Sequence, residues 1–507
     1  MILKYTCTRN RLESVDSAQA IAQGISASGG LFVPEEFPQI SGEELSAMQH
    51  LSYTELAAAI LKRFLTDFTP EEIRDCVEAA YGGGKFSGGH PAPLVTLQDG
   101  ETTQYALELW HGPTCAFKDM ALQLLPHLLV KSLQKTHPDT TAVILVATSG
   151  DTGKAALEGF RDVAGTRVLV FYPENGVSPM QKRQMVTQEG NNVAVCAIEG
   201  NFDDAQTAVK GLFTDDSMKQ LLAQHGMMFS SANSINWGRL LPQIVYYFSA
   251  YAQLLKQGAV QVGEKVNFVV PTGNFGNILA GYYAMKMGLP VNRLVCASNE
   301  NNVLTDFIRT GTYDRNRPFH TTISPSMDIL VSSNLERLLY DLTGCNDAQV
   351  AGWMKQLSET GRYTVDAATL QKLQSVFWAD FCDDADTRRA VRAMEETEHY
   401  LCDPHSAVAF EVYRRYLRET HDNGTPTVVV STASPYKFAA SVLKALGSEL
   451  YAQDGVRDEF EQVQQLSALT GTQAPDPIQA LEGKPVRFQE VSSVANMGQA
   501  VRRLMGI

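Results

Sequence analysis

The chain reads as an α/β protein of two lobes, each a parallel or mixed sheet covered by helices, preceded by a mostly helical N-terminal part. Three observations predict this. Short β-branched runs alternate with amphipathic helical patterns between about residues 105 and 300, the signature of βα units on a parallel sheet. The runs are apolar without strict in-and-out alternation, as strands covered on both faces require. At 507 residues the chain also exceeds one ordinary core, because ~150 residues make a typical domain and the length therefore suggests roughly three units.

Taken in order, residues 1–85 form the N-terminal unit. ELSAMQHLSYTELAAAILKRFL carries apolar residues at helical spacing, and TPEEI supplies a capping-box start at Thr69. The Gly/Pro cluster GGGKFSGGHPAP, residues 82–93, is a linker. Residues 86–507 hold the two α/β lobes, with strands at TAVILVAT (141–148), RVLVFYP (167–173), NVAVCAIEG (192–200), KVNFVVPTG (265–273) and RLVCASN (293–299). A less regular segment, about 300–425, includes the helical patterns DAATLQKLQSVFWADF and DTRRAVRAMEETEHY. TVVVSTA (427–433) then returns to an earlier sheet, followed by the helix PYKFAASVLKALG.

Composition narrows the function. Hydrophobic residues make up 44% and charged residues 19%, the proportions of a folded enzyme. A net charge of −14 argues against a general affinity for nucleic acid or an anionic membrane. The eight cysteines never fall in a CxxC spacing, so neither a zinc site nor a disulfide framework is expected, and no metal is assigned. No run reaches the roughly 18 apolar residues that cross a bilayer, and the start MILKYTCTRNRLESVDSAQA lacks a signal peptide's apolar stretch. The expectation is a reducing, cytoplasmic location.

Three stretches follow strands where α/β proteins place ligands. ATSGDTGKAALEGF sets Ser149, Gly150, Asp151, Thr152 and Gly153 between a strand and a helix, where backbone N–H groups and two hydroxyls can face an anion. It is not a nucleotide P-loop, because Ala155 follows Lys154 where Ser or Thr should hold magnesium. An ordinary turn capped by Asp151 or Thr152 is the alternative. PTGNFGNILAG places Gly273, Asn274, Phe275, Gly276 and Asn277 so that the backbone can approach one phosphate closely. In ELWHGPTCAFKDMALQLLPHLL, Lys118 starts an apolar helix, where a cation is out of place. It is either a snorkelling surface lysine or a buried amine whose lowered pKa suits attack on a carbonyl.

Together these residues resemble a known family, the bacterial and fungal type of threonine synthase, in the tryptophan-synthase-β-like (fold type II) group of pyridoxal-phosphate enzymes. The resemblance runs from KYTCTRN and GISASGGLFVPEEFP through ELWHGPTCAFKD, ATSGDTGKAA, GVSPMQKRQMVTQEGNNVAVCAIEGNFDDAQTAVK, SSANSINWGRLLPQIVYY and PTGNFGN to DPHSAVA and STASPYKF. It implies that Lys118 links to the aldehyde of pyridoxal 5'-phosphate, that Gly273, Asn274, Phe275, Gly276 and Asn277 cradle its phosphate, and that Thr432 meets its pyridine nitrogen. It implies O-phospho-L-homoserine and water as substrates, with L-threonine and phosphate as products, the last step of threonine biosynthesis. The second phosphate then falls to Lys154, Arg239, Asn233 and Asn236, with Ser149 and Thr152 near the α-carboxylate. For Arg239 a solvent-facing position is the alternative.

Some positions depart from the family pattern. Ser406 and Ser434 stand where Thr and His are frequent, and Cys115 where Leu is common. Asp151 stands where the wider group has Asn beside the cofactor's phenolate oxygen, which a carboxylate would repel, so it receives no role. His111 and His405 read as structural. A related dehydratase or phospho-lyase that does not add water back, and a noncatalytic metabolite-binding protein, remain alternatives. Oligomeric state is left open.

Overall fold

In the computed structural model, described for residues 2–99, 102–148, 150–174, 177–447 and 458–507, the N-terminal unit begins with a small antiparallel sheet. β1 (Tyr5–Cys7) lies between β2 (Asn10–Val15) and β3 (Phe32–Pro34). Strands of three residues are too short to display a period of two, so the sequence pattern shows only the helices around them. The helical pattern over residues 44–65 is two helices, Gly42–Ala47 and Tyr53–Phe64, because Ser52 restarts the chain with its own capping box to Glu55. Thr69 caps Pro70–Tyr81 in the expected way.

β4 (Leu94–Asp99) and β5 (Thr102–Glu108) open the larger sheet as an antiparallel pair. The chain then builds the smaller sheet from β6 (Thr141–Ala147), β7 (Thr166–Pro173), β8 (Val193–Glu199) and β9 (Met227–Ser230). It returns to the larger sheet with β10 (Val266–Pro271) and β11 (Val291–Ser298). The irregular segment contributes a two-stranded pair, β12 (Thr312–Asp314) and β13 (Arg362–Thr364), and then β14 (Phe377–Phe381). β15 (Thr427–Ser431) and β16 (Val491–Ser493) complete the two sheets. The strand orders are β14-β11-β10-β15-β5-β4, parallel except for β4, and β16-β8-β7-β6-β9, parallel throughout.

One detail corrects the sequence reading and a second sharpens it. In DAATLQKLQSVFWADF the helix stops at Val376, and the aromatic FWADF is β14, where flat side chains suit a half-buried pleat. The late strand β15 does not merely rejoin the larger sheet but lies inside it, between β10 and β5. The carboxyl ends of these three parallel neighbours therefore meet, and the loops leaving them supply the site.

Candidate active site

Lys118 lies on the loop that leaves β5. This loop runs antiparallel to the segment leaving β15: Ala116 and Ala433 form an isolated bridge, the Phe117 N–H donates to the Thr432 carbonyl at 2.8 Å, and the Ser434 N–H donates to the Cys115 carbonyl at 3.0 Å. Lys118 is the N-cap of the short helix Asp119–Leu122. The apolar stretch that follows is not one helix, since a second begins at Leu125 with a proline in its first turn. The Lys118 side chain is only 11% exposed, so it is no surface lysine. Its Nζ donates to Ser326 Oγ at 3.2 Å and stands 3.7 Å from Asp151 Oδ2. Burial lowers its pKa to about 8, with Arg239 and Lys437 acting in the same direction and Asp151 opposing them.

Asp151 opens the helix Asp151–Phe160 beyond β6; the N-cap Gly150 has no side chain to offer, and Thr148 Oγ1 accepts the Gly153 N–H at 2.9 Å in its place. The cap expected of Asp151 or Thr152 is absent because Asp151 turns inward. Its Oδ1 receives the Lys437 ammonium at 2.6 Å and Gln181 Nε2 at 3.0 Å, while Oδ2 accepts from Ser326 Oγ at 3.4 Å. Burial works to raise its pKa, but Lys437 and then Lys118 outweigh it and hold the carboxyl ionised, well below the usual range. Thr152 is half-buried in the same first turn. Ser149 lies outside the described residues.

The loop leaving β10 leads into the helix Gly276–Lys286. A side chain at Gly273 would place Cβ 2.9 Å from the Ser326 carbonyl, so this close approach demands glycine. Phe275 sits at φ 63°, a strained conformation for a bulky residue. Asn334 fixes the loop through the Asn274 carbonyl, donating its N–H at 3.1 Å and its Nδ2 at 3.0 Å. Asn277 Oδ1 accepts hydroxyls from Tyr246 at 2.7 Å and Tyr247 at 2.8 Å, which orients the amide and leaves Nδ2 buried without a partner among the described residues. A buried donor of this kind costs free energy unless something accepts from it. It stands at the N-terminus of a helix, where N–H groups and the dipole attract anions. Thr432 is 5% exposed; its N–H donates to Ser406 Oγ at 3.1 Å, while its hydroxyl bonds to no described residue.

The remaining expected members separate. Arg239 is 5% exposed rather than solvent-facing; it donates to the Ala232 carbonyl at 2.9 Å and pairs with no acid among the described residues. Burial lowers its pKa to about 10, so it stays charged. Lys154 and Asn236 are engaged elsewhere. Lys154 Nζ binds Glu158 Oε2 at 3.2 Å and the Gln188 amide oxygen. Asn236 caps the helix Trp237–Lys256 through Gly238 N–H and gives Nδ2 to the Ile21 and Ser231 carbonyls, each at 3.0 Å. Asn233 is exposed. His405 has both ring nitrogens occupied: Nδ1 lies 2.6 Å from Asp403 Oδ1, and Nε2 accepts the Ser326 N–H at 3.1 Å. His111 is held by Glu108, 2.7 Å away.

Three site residues were missed by reasoning from sequence. Ser326 comes from the irregular segment, where no periodicity marks it. Gln181 and Lys437 sit within the quoted motifs GVSPMQKRQ and STASPYKF, and a lysine two residues beyond a proline just after the last central strand was the available signal. No cluster of three or more His, Cys, Asp or Glu side chains placed to hold a metal ion occurs among the described residues.

This arrangement fits a phosphate-bearing aldehyde. It offers an amine that sheds its proton easily and a glycine at the closest approach, together with an amide donor at a helix N-terminus and a hydroxyl that have no partner among the described residues. Comparison with known proteins agrees. Residues 4–81 match the family described as threonine synthase N terminus, 86–377 the pyridoxal-phosphate dependent enzymes, and 406–504 the threonine synthase C-terminal family. The chain is 38% identical to the threonine synthase of Pseudomonas aeruginosa over 92% of this chain and 96% of that one. It is 42% identical to threonine synthase-like 1 of Homo sapiens over 85% of this chain, and it spans 58% of that protein's length. Among solved structures, the pyridoxal-phosphate-bound threonine synthase of Brucella melitensis matches at TM-score 0.86 and 36% identity, and the yeast enzyme at 0.88 and 32%, each over 99% of both chains.

Proposed function

Because the chain belongs to the threonine synthase family of pyridoxal-phosphate-dependent, fold type II enzymes, we propose that it converts O-phospho-L-homoserine and water into L-threonine and phosphate. The observation that carries this reading is the presence, beside the buried Lys118 amine, of a buried cation, Arg239, that has no counter-ion among the described residues.

In this reading Lys118 holds the cofactor, the loop Gly273–Asn277 and the Asn277 amide donor hold its phosphate, and the Thr432 hydroxyl meets its ring nitrogen. When bound, pyridoxal 5'-phosphate supplies an electron sink for charge developing on the amino acid. The rest belongs to the chain's own residues. Arg239 receives the substrate phosphate, and the first turn at Thr152, with Ser149, receives the α-carboxylate at a helix N-terminus. The Lys118 amine removes the proton from Cα and handles the proton at Cβ, with Ser326 and Asp151 fixing where Nζ returns. Phosphate leaves Cγ against Arg239, Cγ takes up a proton to become the methyl group, water adds at Cβ to form the threonine hydroxyl, and Cα regains a proton from the Lys118 ammonium. Lys154, Asn236 and Asn233 can join only after rearrangement, since the first two are bonded elsewhere and the third is exposed. Residues 1–85 act as a bracing domain, and residues 86–507 as the catalytic region. We place the protein in a reducing cytoplasm, consistent with eight free cysteines; no helix of the described residues is long and apolar enough to cross a membrane.

Product analysis with O-phospho-L-homoserine tests the proposal. Threonine and phosphate in equal amounts are expected. Release of 2-oxobutanoate in place of threonine would make the chain a phospho-lyase, and no phosphate release would overturn the substrate.

A further inference from the structure

Lys437 is a fully buried lysine that the reaction described above does not use. It sits in the single turn Pro435–Phe438, just past β15. Its side chain is 0% exposed, with Nζ 2.6 Å from Asp151 Oδ1 and 2.9 Å from the Thr114 carbonyl. The Asp151 carboxylate is thus shared by two lysines on its two oxygens: Lys437 closely on Oδ1, and Lys118 loosely, at 3.7 Å, on Oδ2.

The two contacts differ in what they permit. Lys118 must give up its ammonium proton to attack the cofactor's aldehyde, and a neutral amine no longer compensates Asp151. A buried carboxylate stripped of its only cation is an uncompensated charge, which destabilises the fold strongly. With Lys437 fixed on the opposite oxygen, Asp151 remains compensated, and Lys118 can depart and return without stranding a charge. Gln181 Nε2, at 3.0 Å, locks the same Oδ1 side. We propose that Lys437 is a positioning residue for Lys118: it holds Asp151 as a permanent, neutralised anchor that the cofactor-binding amine can leave and rejoin. This rests on the use of the cofactor and not on the identity of the substrate.

The groups facing Lys118 fix the signs. Asp151 faces it from the helix Asp151–Phe160, Arg239 from the helix Trp237–Lys256, and Lys437 from its turn; Asp119 lies next in sequence, and the His405–Asp403 pair reaches it only through Ser326. Removing the Lys437 charge takes away a repelling cation and leaves Asp151 to Lys118 alone, so both changes favour the protonated amine. Removing the Asp151 charge leaves Lys118 with two cations and favours the neutral amine.

The rate at which cofactor-free, full-length protein takes up pyridoxal 5'-phosphate, followed by visible absorbance from pH 6 to 10.5, reports this directly, because only the neutral amine reacts. Wild type should show its half-rise near pH 8. Lys437→Met should move the half-rise up by about one pH unit, Asp151→Asn should move it down by about as much, and the double variant should lie between them. A loss of packing alone would not produce opposite shifts. A Lys437→Met half-rise that stays in place, or moves down with Asp151→Asn, overturns the proposal. If Lys437→Met does not fold, Asp151→Asn still decides, since a half-rise that fails to fall also overturns it. No substrate enters the assay, so a failed turnover of phosphohomoserine would leave this test intact.

Discussion

Two buried guanidinium groups, those of Arg239 and Arg337, have no carboxylate partner among the described residues, and they meet this condition differently. Arg337 spends its donors on the Phe32 carbonyl at 3.0 Å, the Ile235 carbonyl at 2.6 Å and Asn334 Oδ1 at 2.5 Å, so its fork is filled by protein. Arg239 has one such partner, the Ala232 carbonyl. In the proposed reaction Arg239 is the cation that receives the substrate phosphate, and a charge-assisted hydrogen bond of this kind contributes about 1.5–3 kcal/mol. Arg239→Met should then lower kcat/KM for O-phospho-L-homoserine by about 10- to 150-fold. Steady-state kinetics check this. The cofactor absorbance should remain, because the phosphate cradle is built from other residues. An unchanged kcat/KM would remove Arg239 from the substrate site.

The helices that carry Lys118 and Asp151 touch backbone to backbone. A methyl group at Gly159 would place Cβ 1.9 Å from the Leu122 carbonyl oxygen, so the last turn of the Asp151 helix lies directly on the end of the Lys118 helix. Gly159→Ala must push the two apart. The expected cost is about 1–3 kcal/mol, read as a lower thermal midpoint, with weaker cofactor retention because Lys118 and Asp151 separate. A midpoint and cofactor occupancy equal to wild type would contradict it. This contact also shows what sequence could and could not convey. The βα alternation marked β6, β7, β8, β10, β11 and β15 within a residue or two, because those runs are buried on both faces and carry continuous apolar signal. The loop Gly273–Asn277 and Lys118 stood out because glycines, and a cation at a helix start, are chemically odd. Ser326 and Lys437 did not, since their meaning is a distance across the fold. For Lys154 and Asn236 the sequence could not show that each already has an internal partner, an ion pair in one case and a helix cap in the other.

The N-terminal unit does not have a core of its own. Tyr5 and Phe64 both rest on Trp237, with ring centroids 5.3 and 5.6 Å away, at the start of the helix that bears Arg239. The Ile21 carbonyl accepts from Asn236, the Phe32 carbonyl from Arg337, and Arg9 pairs with the buried Glu336. Arg337 in turn holds Asn334, which holds the Asn274 carbonyl of the phosphate loop. These bonds tie the unit to the helix of Arg239 and to the loop Gly273–Asn277, the two places proposed to hold anions. Loss of helical circular dichroism and release of the cofactor in denaturant should therefore coincide. An early transition in which the first 85 residues unfold while the cofactor stays bound would show that they stand apart. The account as a whole depends on Lys118. Borohydride reduction of the cofactor-loaded protein, followed by peptide mass mapping, should find the pyridoxyl group on Lys118 alone; its appearance on Lys154, Lys437 or any other lysine, or its absence, would contradict the account.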